Sequence, residues 1–189
     1  MDTEKLNALK EQAYKTAVEH GFHEDVKPVF FYFGLVMSEA GEAINADRKG
    51  LHADAKGFEE DEANGLPFAE NFKRHIKDSV EDEIADIVIR LLDYAGFRRC
   101  ELRLIAASRI EMGSFVKGEY LAADLFCLMG FLCDMPHSVD FELCLSLLIS
   151  IFSECFGMFT GCDDKDLWWF VERKMKYNEQ RPKLNGKKY

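Results

Sequence analysis

Proline is scarce in this chain of 189 residues: there are four, against sixteen phenylalanines. Few helix breakers and many aromatic core formers favour a compact helical interior. No stretch alternates polar and apolar residues for long enough to suggest a sheet, which points to an all-α fold. None of the six cysteines, at 100, 127, 133, 144, 155 and 162, falls in a CxxC pair. They read as reduced, mostly buried thiols. ExxH is absent, and the lone DxxH, Asp134 to His137, has Pro136 inside it. A di-iron carboxylate bundle, which uses paired ExxH motifs, is therefore disfavoured. The opening MDTEKLNALKEQ has no apolar core of the kind a signal peptide needs. The longest uncharged run, Leu143 to Ser153, is too short to span a bilayer. A cytoplasmic protein without a membrane partner is expected. Positive charge is also in deficit: 24 Lys and Arg against 34 Asp and Glu leave a net charge of −10. That argues against a nucleic-acid polymer as partner, although bound divalent metal would still admit a phosphate ligand.

What is present is enough apolar residue, 48%, for one folded domain covering 1–189. Residues 2–20 predict an amphipathic helix with Leu6, Leu9, Ala13, Ala17 and Val18 on one stripe. A central helix runs from Phe30 through Ala46 to about Arg48. Its apolar face gathers Phe30, Phe33, Val36, Met37, Ala40 and Ile44, with Glu39 and Glu42 elsewhere, beside Phe31 and Leu35. Leu51–Asn71, with two glycines and a proline, reads as a long loop. Phe72–Phe97 predicts a second strong helix. Three apolar helical segments are expected at about 101–113, 117–134 and 139–159. A last helix starts at Asp163 or Asp164 and stops at Arg181-Pro182. The expectation is an all-α bundle of about six helices with a helical insert at about 98–162.

Two of these helices carry acids at i, i+3: Glu39 with Glu42, and Glu83 with Asp86. That spacing puts both carboxylates of a helix on one side. Four facing carboxylates repel and need cations, and hard oxygen ligands in this number suit Mg²⁺, with Mn²⁺ as the alternative. Either pair alone better describes a solvated helix face, with Asp86 and Arg90 an i, i+4 ion pair. Lys174, Asn178 and Arg181 recur along one line of the last helix. A lysine, an amide and an arginine in a row can clamp phosphate, or merely complement a helix end.

The order of SEAGEAI, EDEIADIV and KMKYNEQRP with a GKKY tail resembles the MazG-like all-α nucleoside triphosphate pyrophosphohydrolases. That superfamily includes the dimeric dUTPases, the dCTPases and the phosphoribosyl-ATP pyrophosphatases. Where such tails often carry a histidine before the glycine, this chain has Asn185. The resemblance implies that Glu39, Glu42, Glu83 and Asp86 hold Mg²⁺ on a nucleoside triphosphate, with Glu39 and Glu42 as catalytic carboxylates. It implies attack of an activated water on the α-phosphorus, releasing nucleoside monophosphate and pyrophosphate. Lys174 and Arg181 would then bind phosphate oxygens and Asn178 would orient the ligand. A homodimer is implied too, although the 98–162 insert could supply within one chain helices that simpler members gain by dimerising. A non-catalytic nucleotide-binding or assembly module on the same fold is the competing expectation.

Overall fold

The structure, a computed structural model, describes residues 1–106, 118–162 and 164–182. Within them the fold is helical throughout, with eight α-helices, one 3₁₀ turn at Met135–His137 and no strand. The helices are α1 Thr3–Glu19, α2 Val29–Arg48, α3 Ala55–Ala63, α4 Phe68–His75, α5 Val80–Arg98, α6 Leu121–Asp134, α7 Phe141–Thr160 and α8 Leu167–Asn178.

The core is built around α5, of whose 19 residues 14 are buried. Apolar side chains on several sides of one helix need several partners, and α1, α2, α7 and α8 all pack on it. Ile84, Ile87, Val88, Leu91 and Leu92 are fully buried there. Each such side chain contributes about 1.5–3 kcal/mol by leaving water. Gly96 sets the approach of α1: a β-carbon there would lie 2.5 Å from Tyr14 Cβ.

α2 turns a different face to the core from the one its large apolar residues suggest. Phe30 and Met37 are about half exposed, at 55% and 47%. Tyr32, Phe33, Val36, Glu39, Ala40, Ala43 and Ala46 are buried. The alanines let α2 lie close to α5, so Glu39 sits inside the buried stripe and not beside it.

The expected loop at Leu51–Asn71 is two short helices and their connections. Asp54 starts α3 by accepting the Gly57 N–H at 2.8 Å. Phe58 and Phe72 are fully buried, and Asn71 donates to the Phe58 carbonyl at 2.8 Å. Glycine and proline punctuate these helices without preventing them, because aromatic burial holds them. The expected continuous helix 72–97 is interrupted. Ile76 ends α4, Asp78 takes a left-handed φ of 64°, and Ser79 restarts the chain by accepting the Asp82 N–H at 3.2 Å.

Residues 101–106 are not helical, contrary to the helix expected from 101, and residues 107–117 lie outside the described part. The segment is tied down by side chains: Arg103 and Ile105 N–H groups donate to the Ser146 and Ser150 hydroxyls of α7. α7 is longer than the uncharged run suggests. Its 20 residues, with mean hydropathy 1.8, make it the one described helix long and apolar enough to cross a membrane. In this fold 61% of that stretch is buried among the other helices. α8 begins later than expected, with Asp166 accepting the Trp169 N–H at 3.0 Å. The cysteines are all free; Cys100 and Cys155 are buried, whereas Cys127 and Cys133 are exposed.

Candidate metal and phosphate site

α1, α2, α5 and α8 enclose a cleft of about 260 Å³. Its walls include all seven residues singled out from the sequence: Glu39, Glu42, Glu83, Asp86, Lys174, Asn178 and Arg181. Glu83 and Asp86 stand one turn apart on α5, and buried Glu39 faces them from α2. Each of the three offers an oxygen, and these oxygens lie within 4.8 Å of one another. Glu42 is the exception among the four acids: it is exposed at the cleft wall and outside this group. Asp78, Asp82 and Glu83 form a second, overlapping acidic group.

Two cations already reach these acids. Arg90 donates from Nε and Nη2 to Glu39 Oε1, at 3.1 and 3.0 Å. The i, i+4 pairing with Asp86 suggested by sequence is not the one formed. Lys174, only 5% exposed, lies 2.7 Å from Asp82 Oδ2 and 2.9 Å from Asp86 Oδ2. Asn178 Nδ2 is 3.4 Å from Asp86 Oδ1. The ring nitrogens of His20 sit 2.8 Å from the Thr16 carbonyl and 2.9 Å from that of Arg181, tying the end of α1 to the chain after α8.

Burial governs the acids. It pushes the Glu83 carboxyl up to about 8, against the pull of Lys174 and with help from Asp82 and Asp86. Glu39 is raised by burial and by Asp86, with Arg90 opposing. Asp82, fully buried, is pushed up to about 6, with Lys174 opposing. Burial pulls the Lys174 ammonium down, but Asp86 and Asp82 outweigh it and hold the pKa well above the usual lysine value. Deeper in the wall, burial raises Asp93, and His23 opposes it through a 2.7 Å contact.

The Glu83 carboxyl makes no side-chain hydrogen bond or ion pair among the described residues, with Lys174 acting on it only through its field, and the orphaned Asn178 Oδ1 and Asp82 Oδ1 are buried nearby. A buried carboxylate without a partner is completed by a proton or by a cation. The oxygen-only donor set of Glu39, Glu83 and Asp86 fits a hard divalent ion such as Mg²⁺ or Mn²⁺.

Sequence reasoning missed Asp82, Asp78, Asp93 and Phe22. Asp82 was visible as a residue one turn before Asp86, with Lys174 the cation it needed. Phe22 carried no motif; it lines the cleft with the Arg90 guanidinium 5.4 Å above its ring. The two tryptophans lie elsewhere: Trp168 donates to Ser153 at 2.9 Å, and Trp169 stacks under Arg173. The tail residues Asn185 to Tyr189 lie outside the described part. No family model matches the chain, and no curated protein or solved structure does so either.

Proposed function

We propose that this chain is a divalent-metal-dependent nucleoside triphosphate pyrophosphohydrolase of the MazG-like all-α kind, converting an (d)NTP to (d)NMP and pyrophosphate. One observation carries the reading: acids from α2 and α5 and the Lys174–Asn178–Arg181 row from the far end of the chain line one cleft. Glu39, Glu83 and Asp86 would hold the metal, with Glu42 at the edge of the set. A divalent cation supplies charge neutralisation on the phosphates and polarises water. The chain's own residues do the rest. Lys174 and Arg181 hold phosphate oxygens, and the Asn178 amide orients the ligand. Glu42, without a hydrogen-bond or ion-pair partner among the described residues, is the carboxylate available to take the proton of the water attacking the α-phosphorus. A homodimer is part of this proposal.

The test is a panel of NTPs and dNTPs with Mg²⁺ or Mn²⁺ and identification of products. Monophosphate plus pyrophosphate is expected from at least one substrate. Diphosphate plus orthophosphate, or no turnover of any member, would overturn the reading. Asp86→Ala and Glu42→Ala are expected to abolish turnover with helicity intact, and retained turnover would remove the site assignment. A non-catalytic nucleotide-binding module, favoured by the pre-existing pairing of the acids with Arg90 and Lys174, would bind nucleotide and release no product.

A further inference from the structure

A lysine intended only for phosphate has no need of two acids. Lys174 is nevertheless buried between Asp82 and Asp86, at 2.7 and 2.9 Å. These two acids differ. Asp82 is fully buried, and its Oδ2 also accepts the Asp78 N–H at 3.0 Å. Asp86 is partly open, lines the cleft and shares with Glu39 and Glu83 the oxygens that converge within 4.8 Å. One of the acids holding the ammonium is therefore also one of the acids a divalent cation would use. Two cations crowding a single carboxylate repel each other.

We propose that Lys174 is the resident counter-ion of the cleft, competing with a divalent cation for Asp86, and that Asp82 keeps it beside the cleft when it yields. This rests on the metal reading above and adds an order of events. Before metal binds, the positive charge of Lys174 is spent on two carboxylates and that of Arg90 on Glu39, so neither cation is free for an anion in a cleft that Glu42 also lines. Once Lys174 gives up Asp86, it retains one ion pair, and part of its charge and its N–H donors turn towards an incoming phosphate. Asp82 is the positioning residue, since it holds the ammonium in reach throughout. Cation and anion then bind as a coupled pair, the first preparing the second.

The test is calorimetric titration of Mn²⁺, without nucleotide, into the full chain and its Lys174→Met and Glu83→Gln variants. Lys174→Met is expected to bind Mn²⁺ at least about ten-fold more tightly than the parent, a shift of 1.4 kcal/mol, and Glu83→Gln to bind more weakly. A loss of phosphate contact or a merely structural role would not raise metal affinity. If the parent binds Mn²⁺ and Lys174→Met binds it no more tightly, the counter-ion role is overturned and the metal site stands. If neither binds, the metal reading falls and this inference with it. Should Lys174→Met lose its helical circular dichroism, Asp82→Asn/Lys174→Met removes the buried charge together with its buried partner and carries the same measurement.

Discussion

Glu83 lies in the first turn of α5, 5% exposed, with its carboxyl held at about 8 by burial. The ordinary value for this group is 4.5. In the metal-free protein the folded state therefore binds this proton more readily than the unfolded chain. Its contribution to stability is complete below about pH 4.5 and is lost as pH rises through about 8. Asp82, at about 6, acts in the same sense over a lower window. With chelator present, the Tm of the parent is expected to fall between pH 6 and 8, and that of Glu83→Gln to fall much less. Parallel curves in thermal melts followed by circular dichroism would contradict this. The acids themselves were legible because i, i+3 spacing is visible in a sequence. Their partners were not: Arg90 pairs with Glu39 across 51 positions, and Lys174 with Asp82 across 92. Local spacing suggested Asp86 for Arg90, and long-range packing overrode it; for Lys174 it offered no acid partner at all.

The α1–α5 contact depends on one small residue. A β-carbon at Gly96 would meet Tyr14 Cβ at 2.5 Å and the Lys10 carbonyl oxygen at 3.2 Å. The latter is backbone and cannot rotate away. Gly96→Ala is expected to cost about 1–3 kcal/mol, the usual penalty of overpacking, net of any helix-propensity gain. Urea denaturation checks it, and an unchanged midpoint would show that α1 shifts freely. Because Ala13, Thr16 and Ala17 of α1 line the cleft, binding of the proposed nucleotide should suffer with stability. Long periodic helices were readable from sequence, as α1, α2, α6 and α7 show. The region from 51 to 79 was not. Its helices are only nine and eight residues long, too short to stand out as a periodic pattern, and they exist because Phe58, Phe68 and Phe72 find partners such as Tyr177, stacked 4.5 Å from Phe72. The break before α5 was hidden too, since Asp78 and Ser79 act through a backbone angle and a cap inside an otherwise continuous pattern.

The outward face of α6 is apolar along its length, with Ala122, Ala123, Phe126, Cys127, Gly130 and Cys133 exposed. Phe126 is 79% exposed. This is where the proposed homodimer would bury surface. Light scattering after size exclusion is expected to give twice the chain mass, and Phe126→Asp to give a monomer. A parent that stays monomeric on concentration would end the dimer proposal. The placement of the acids on α5 has a further consequence for motion. A helix with 14 buried residues, enclosed by four others, belongs to the unit that opens last, and its amides should exchange hydrogen only with global unfolding. A ligand entering the cleft would then meet Glu83 and Asp86 already in place, and any adjustment would fall to what surrounds α5, such as the tie of His20 to the Arg181 carbonyl. A variant weakened at the rim would lose ligand capture long before it lost its acids.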